Sequence, residues 1–273
     1  MKKVIFLDID GTIVNGRNEM LPSTELAIKK AMAKGNEVFI CTGRAKGEVN
    51  PFLLNLGFNG YICGNGCYIE ADGQIVYNKV FEKGDLERIF RFLDERNVKY
   101  FVECEDCLVA REEIREHGNI AAQKFLRAVG NPHADERNFT DLFPSVRFAD
   151  DLYRPDVNKV SYLVNAEHLH EECEKAFPEF NNTLWGQDIF GEIGISRVNK
   201  GDAVRMVLNY LGVEQKDSYG FGDLDPDIPM LRACGTGIAM GNASEGMKQI
   251  ADYITTEVDD DGIWNAFSHF ELM

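Results

Sequence analysis

Residues 4–12 read VIFLDIDGT, an apolar run that ends in two aspartates, a glycine and a threonine. A strand that is buried on both faces of a parallel sheet has a continuous apolar run of this kind. We therefore predict a buried parallel strand from Val4 to Ile9. Its C-terminal tip, which carries Asp8 and Asp10, is expected to carry the function.

Short apolar runs alternate with stretches of helical period at both ends of the chain. We predict strands at 37–41, 60–70, 74–80, 218–221, 236–240 and 253–256, and helices at 23–34, 45–56, 202–211, 227–233 and 245–250. Ser23 is the expected N-cap of the first helix and Gly35 its stop, and Asp72 and Gly73 are expected to form a hairpin turn. This alternation predicts an α/β fold with a doubly wound, Rossmann-like parallel sheet.

The middle of the chain, from Glu82 to Phe190, lacks this strict alternation. Helical stretches at 85–96, 112–129 and 167–176 separate strands at 99–103, 157–164 and 182–187. Such a pattern predicts a smaller α+β domain inserted into the first one. We expect residues 1–82 and 191–273 to form the core and residues 83–190 the insertion, with two adjacent linkers that permit hinge closure over a site.

The composition excludes several classes of partner. The chain has 45 acidic and 29 basic residues and a formal net charge of -16, which would repel nucleic acid and an anionic membrane surface. Two early aspartates interrupt the N-terminal apolar run, which argues against a signal peptide. The chain has seven cysteines, so at least one cannot form a disulfide within the chain. Free thiols in a reducing compartment explain this better than a disulfide framework. We expect a cytoplasmic protein with a small-molecule partner; the sequence does not determine its oligomeric state.

Four polar clusters follow predicted core strands or begin a core helix. They are Asp8 to Thr12, Thr42 to Arg44, Lys200 with Gly201, and Gly222 to Asp223 with Asp225 and Asp227. In an open parallel sheet, ligands bind in the crevice outside the carboxyl ends of the strands. We therefore expect these clusters to meet in one site.

The acidic clusters indicate a metal ion. Two ionised aspartates at a strand end are costly to bury unless a cation compensates them, and Gly11 permits a tight turn beside a ligand. By itself this pattern also fits ordinary acidic loop capping. A second acidic cluster at another strand tip favours the metal, and oxygen ligands without converging His or Cys favour Mg²⁺ over zinc.

Lys200 begins a predicted helix, where a cation opposes the helix dipole. A nearby anion explains such a lysine, although a solvated lysine is the alternative. Thr42 offers a hydroxyl and Gly43 a backbone N–H to the same anion. Acid, metal, lysine and hydroxyl together point to phosphoryl transfer, which depends mostly on positioning and charge neutralisation.

These motifs resemble those of haloacid dehalogenase superfamily phosphatases, specifically the Cof-like group (type IIB) with a large cap between the second and third motifs. The matching motifs span the chain in order: DIDGT (8–12), ICTGR (40–44), ICGNG (62–66), NKGDA (199–203), GDLDPDIPML (222–231), AMGNA (239–243) and DDG (260–262).

The resemblance implies a role for each matching residue. Asp8 would be the nucleophile that forms an aspartyl phosphate, and Asp10 the acid and base for leaving group and water. Thr42 and Lys200 would hold the phosphoryl oxygens. The other residues expected around the phosphate are Gly11, Thr12, Gly43, Arg44, Asn65 and Asn242.

The resemblance also implies a magnesium site. Asp8, the backbone carbonyl of Asp10, and Asp223 would bind Mg²⁺, and Asp227 would support the metal or Lys200. The chain departs from the family at Pro226, where Gly-Asp-x-x-Asn-Asp has asparagine. Either one polar contact is missing here or Asp225 supplies it.

The resemblance implies a magnesium-dependent phosphatase that hydrolyses a small phosphate monoester, such as a sugar phosphate, through an aspartyl phosphate. One alternative is a phosphomutase on the same scaffold, which passes the phosphoryl group to another sugar hydroxyl. The other is a sugar-phosphate-binding regulator with weakened catalysis, which Pro226 favours.

Overall fold

Strand β1 (Val4–Leu7) is buried along its whole length in the computed structural model, which describes residues 2–196 and 198–273. It is shorter than the predicted strand because the chain turns after Asp8. The carbonyl of Ile9 accepts hydrogen bonds from the N–H groups of Ile13 and Val14, both at 2.9 Å. This tight turn leaves Asp8 at the tip of the strand.

The first part of the chain continues with α1 (Pro22–Ala33), β2 (Glu37–Cys41), α2 (Pro51–Leu54), β3 (Gly60–Cys63), β4 (Tyr68–Ala71) and β5 (Gln74–Asn78). The prediction of Ser23 as N-cap is wrong: α1 begins with Pro22 as its first residue, after Leu21, and the Ser23 hydroxyl donates instead to Asp261. The predicted helix at 45–56 is reduced to a short 3₁₀ turn and α2, because Asn50 precedes a proline and is extended.

The predicted strand at 60–70 divides in two around Asn65. Gly64, Asn65 and Gly66 have φ values of +57°, +54° and +105°, which a strand cannot accommodate. The chain therefore reverses between β3 and β4, which pair antiparallel. The predicted hairpin around Asp72 and Gly73 is confirmed between β4 and β5.

The middle of the chain forms a second sheet with helices. Its elements are α3 (Lys83–Glu95), β6 (Tyr100–Glu103), β7 (Leu108–Ala110), α4 (Ile114–Ala128), α5 (Phe139–Leu142), β8 (Val146–Phe148), β9 (Lys159–Leu163), α6 (Leu169–Ala176), β10 (Asn181–Trp185) and β11 (Phe190–Gly194). The strand order is β10-β11-β9-β6-β7-β8, antiparallel except between β7 and β8. This is the α+β architecture predicted from the sequence.

The last part returns to the first sheet. It contains α7 (Lys200–Leu211), β12 (Ser218–Gly222), α8 (Ile228–Ala233), β13 (Thr236–Ala239), α9 (Glu245–Ile250), β14 (Tyr253–Ile254) and α10 (Gly262–His269), of which α10 was not predicted. The sheet order is β14-β13-β12-β1-β2-β3-β4-β5, and the strands from β14 to β3 are parallel. The predicted α/β class, a doubly wound parallel sheet with an α+β insertion, is confirmed.

The chain divides into two compact units, each with one of the sheets. One consists of Met1–Gly43, Asn50–Asn78 and Val198–Met273, and the other of Arg44–Val49 and Lys79–Arg197. The segment Arg44–Val49 therefore packs with the smaller sheet, where the N–H of Gly47 donates to the carbonyl of Cys104 at 3.3 Å. Nothing in the local sequence had indicated this. The function of the second unit as a cap stays a prediction.

Candidate active site

The strand order brings the carboxyl ends of β1, β2 and β12 to one edge of the first sheet. Asp8 follows β1, Thr42 follows β2 and Asp223 follows β12. The N–H of Asp8 donates to the carbonyl of Phe221 at 3.0 Å, so the tips of β1 and β12 are held side by side. Adjacent parallel strands in this order create the crevice in which α/β folds bind ligands.

Lys200 reaches this edge from the first turn of α7. Its side chain is 3% exposed, and Nζ donates to Asp8 Oδ1 at 2.6 Å and to Asp227 Oδ1. Gly201 allows the helix to start here, because a Cβ at this position would lie 2.3 Å from the carbonyl oxygen of Pro229. The lysine at the helix start thus meets two buried carboxylates, which compensate its charge.

Asp8, Asp223 and Asp227 form a buried acidic group whose nearest oxygens lie within 4.8 Å of one another. Both oxygens of Asp227 are engaged, since Oδ1 accepts from Lys200 and Oδ2 accepts from the N–H groups of Asp223 and Leu224 at 3.1 and 3.3 Å. Within the part of the chain that the structure describes, Asp223 Oδ1 is buried without a hydrogen-bond partner. That oxygen is therefore available to a cation.

The charges in this group are unbalanced. Burial raises the pKa of Asp8 well above its ordinary value, and Asp227 adds to this while Lys200 opposes it. Burial and Asp227 also raise the pKa of Asp223, to about 7. For Lys200, burial disfavours the charged form, but Asp227 and Asp8 outweigh it and raise its pKa. Three acids against one lysine, with one buried oxygen unpartnered, fit a hard divalent cation.

Gly11 lies directly under Asp223. It has a φ of +75°, and a Cβ added there would lie 2.1 Å from Asp223 Oδ2. Its carbonyl accepts a hydrogen bond from Asn242 Nδ2 at 2.9 Å, while Asn242 Oδ1 accepts from the N–H of Val258. Asn242 therefore contacts the turn that holds Asp10, Gly11 and the buried Thr12.

The second loop brings Thr42, Gly43 and Asn65 together. The N–H of Asn65 donates to the carbonyl of Thr42 at 3.1 Å, and a Cβ on Gly43 would lie 3.2 Å from Asn65 Oδ1. Thr42 is buried. Arg44, the next residue, belongs to the second compact unit.

Sequence reasoning missed Ser244. Its hydroxyl accepts from the N–H of Met247 at 3.2 Å, as an N-cap does, and also donates to Asp225 Oδ1 at 2.8 Å. A serine before a helix is the signal for the cap. The contact with Asp225 depends on how two distant segments pack, which no local pattern shows.

Comparison with known proteins agrees with this fold. A sequence profile of haloacid dehalogenase-like hydrolases matches residues 5–267. The protein YkrA of Bacillus subtilis is 30% identical, with 99% of this chain and 98% of YkrA covered. The phosphatase YwpJ of the same organism is 26% identical, with 98% and 99% covered.

Solved structures extend this similarity to the whole chain. A protein from Geobacillus kaustophilus has a TM-score of 0.85 at 26% identity, with 100% of both chains covered. The subclass IIB sugar phosphatase BT4131 has a TM-score of 0.76 at 25% identity, also with 100% of both chains covered.

The fold and the family match define a phosphate-ester hydrolase with a Rossmann-like core. The chain belongs to the haloacid dehalogenase-like hydrolases, in the Cof-like phosphatase group. Enzymes of this superfamily that transfer phosphoryl groups generally use a divalent metal. Among residues 2–196 and 198–273, no helix is long and apolar enough to cross a membrane.

Proposed function

We propose that this protein is a Mg²⁺-dependent phosphatase that hydrolyses a small phosphate monoester through an aspartyl phosphate on Asp8. One observation carries the proposal: Lys200 Nζ lies 2.6 Å from Asp8 Oδ1, inside a group of three buried aspartates with one unpartnered oxygen among the described residues. This arrangement supports the proposal, because it offers a carboxylate, a cation and an unpartnered oxygen at the strand edge where such folds bind ligands.

Asp8 is the nucleophile in this proposal. Lys200 engages Oδ1, favours the ionised form of the carboxylate and orients it, and we assign the attack to Oδ2. The bond from Oδ2 to phosphorus forms as the bond from phosphorus to the leaving oxygen breaks. Lys200 and Asp227 keep the carboxylate in place during this step.

Asp10 transfers the protons. It is exposed in the turn after β1, where a carboxyl group can reach both a leaving group and water. It donates a proton to the departing alkoxide, then removes one from the water that hydrolyses the aspartyl phosphate and restores Asp8. Thr42, Gly43 and Asn65 are expected to donate hydrogen bonds to the phosphoryl oxygens.

Asp8, Asp223 and the backbone carbonyl of Asp10 would hold the Mg²⁺ ion, which when bound neutralises charge on the phosphoryl oxygens. Asp227 supports Lys200 rather than the ion in this assignment, because both of its oxygens already accept hydrogen bonds. The choice of Mg²⁺ rests on oxygen ligands alone.

A sugar phosphate or similar metabolite is the proposed substrate. Two relatives support this class by their names: the sugar phosphatase BT4131 and the Bacillus subtilis 5-amino-6-(5-phospho-D-ribitylamino)uracil phosphatase YcsE, which is 26% identical over 99% of this chain. We also propose that the second unit selects the substrate and that the protein is cytoplasmic, where its seven free thiols stay reduced.

The test is phosphate release from a panel of phosphorylated metabolites with and without Mg²⁺. We expect release only with Mg²⁺, and loss of turnover in Asp8→Asn. Asp217→Asn is the control: it makes the same change at an aspartate that pairs with Lys3 instead, and it should keep full activity. Turnover by Asp8→Asn at the wild-type rate would refute the assignment of the nucleophile.

Product analysis separates the alternatives. An isomerised sugar phosphate without free phosphate would indicate a phosphomutase. Binding of a sugar phosphate without turnover under any divalent metal would indicate a regulator.

A further inference from the structure

The main chain of Asp223 is held from two sides. Its N–H donates to Asp227 Oδ2 at 3.1 Å, and its carbonyl accepts from the N–H of Ser244 at 2.9 Å. One contact lies within the loop that follows β12, and the other ties that loop to the residue before α9. The direction of the Asp223 side chain therefore depends on how firmly Ser244 is attached to this loop.

Asp225 supplies that attachment. Its Oδ1 accepts from the Ser244 hydroxyl at 2.8 Å, while the same hydroxyl accepts from the N–H of Met247. The hydroxyl has one proton, and it is committed to Asp225. Asp225 itself is exposed. Its position is therefore explained by the hydrogen bond from Ser244 and not by burial.

Pro226 accounts for the position of this contact. It lies in the 3₁₀ turn Asp225–Asp227 that follows the strand, and its side chain can neither donate nor accept a hydrogen bond. Proline also restricts φ, so it favours the turn that points Asp227 back to the N–H of Asp223. The side-chain hydrogen bond between this loop and the residue before α9 comes from its neighbour, Asp225.

We propose that Asp225 is a positioning residue, which acts through Ser244 to aim the Asp223 carboxylate at a divalent cation and replaces the polar contact that Pro226 cannot make. This inference rests on the proposed function, because it needs Asp223 to bind the cation. The carboxylate of Asp225 acts here as a hydrogen-bond acceptor. Its charge is not what matters.

Mg²⁺ binding by the substrate-free protein tests this, measured by isothermal titration calorimetry. Asp225→Ala should raise the Kd for Mg²⁺ about fivefold, the effect of losing one hydrogen bond. Asp225→Asn should stay within about twofold of the wild type, since its amide oxygen still accepts from Ser244. In assays, kcat at saturating Mg²⁺ should be unchanged in both variants.

Ser23→Ala is the matched control. It removes another hydrogen bond from a serine hydroxyl to an exposed aspartate, Asp261, in the same unit, and it should leave the Kd for Mg²⁺ unchanged. The rescue variant adds Pro226→Asn to Asp225→Ala and should restore Mg²⁺ affinity. If Asp225→Ala does not fold, Ser244→Ala removes the same contact together with the N-cap hydrogen bond from Met247, and it should raise the Kd at least as much.

Each outcome decides the inference. Equal losses in Asp225→Asn and Asp225→Ala would show that the charge of Asp225 acts, and would overturn it. An affinity for Mg²⁺ in Asp225→Ala equal to that of the wild type would also overturn the inference. A wild type that binds no divalent cation would refute the proposed function and this inference together, whereas normal wild-type binding with unchanged variants would refute the inference alone.

Discussion

Lys200 shows how single residues determine this site. It is buried between Asp8 and Asp227, and each carboxylate depends on it for compensation. Removing one partner from a buried ionic group leaves an uncompensated charge, which costs more than the interaction itself contributes. The site is therefore sensitive to the loss of this cation even when no substrate is bound.

We expect Lys200→Met to lower the free energy of unfolding by about 3–5 kcal/mol at neutral pH, because two buried carboxylates lose their cation. Urea denaturation measures this. Lys29→Met is the control, because Lys29 pairs with Glu25 on an exposed face of α1, and it should cost less than about 0.5 kcal/mol. Equal costs in the two variants would contradict the structure.

Gly11 gives a second prediction for a single residue. Gly11→Ala places a methyl group 2.1 Å from Asp223 Oδ2, so the carboxylate must move, and we expect Mg²⁺ affinity to fall at least about tenfold. Gly73→Ala is the control. Gly73 has a similar φ of +70°, but nothing in the described residues lies within 4 Å of its added Cβ. Gly73→Ala should leave Mg²⁺ affinity unchanged, and an equal loss in both variants, measured by calorimetry, would count against the contact with Asp223.

The pairing of strands in the second unit brings charged side chains together in a buried ionic group. Glu103 on β6 lies opposite Lys159 on β9, and Lys159 Nζ lies 2.9 Å from Glu103, 3.0 Å from Glu192 and 3.5 Å from Glu48. Ser161 donates to Glu103 as well. Three carboxylates therefore share one ammonium group inside this sheet.

This group predicts a pH dependence. Burial, followed by the neighbouring Glu48 carboxylate, raises the pKa of Glu103 well above its ordinary value. A raised carboxyl pKa stabilises the fold below the unfolded value of about 4.5, and that contribution is lost as pH rises towards the folded value. We expect Glu103→Gln, which mimics the protonated form, to remove part of the fall in stability between pH 5 and 8.

Tryptophan fluorescence can follow this unit by itself. Trp185 lies in the second unit and Trp264 in the first, so denaturation in a Trp264→Phe background reports the second. Glu116→Gln, on an exposed part of α4, is the control and should keep the wild-type pH dependence. If the stability of Glu103→Gln depended on pH in the same way as that of the wild type, Glu103 would not hold a proton in this group.

At the level of the whole molecule, much of the organisation was predictable from the sequence, because apolar runs and helical periods are local signals. The acids that meet at the site were predictable for the same reason: they follow buried strands, and parallel strands end at one edge. What escaped prediction depends on tertiary packing. Examples are the break at Asn65, the attachment of Arg44–Val49 to the second unit, and the contact of Asn242 with Gly11.

Mg²⁺ should stabilise the folded protein, because the proposed ion site exists only when both ends of the chain are folded together. At a concentration 100 times its Kd we expect a gain of about 2.7 kcal/mol in the free energy of unfolding. The fluorescence of Trp264 during urea denaturation measures it. Asp223→Asn should abolish most of the gain, and an equal gain in that variant would place the ion elsewhere.

The interrupted order of the large sheet has a consequence for biosynthesis. Strand β1 pairs with β2 on one side but with β12 on the other, and β12 leaves the ribosome only after the whole insertion has been translated. Until then an apolar strand edge stays unpaired, a surface that invites aggregation or chaperone binding. The large sheet is therefore completed late in synthesis, after the insertion has been translated.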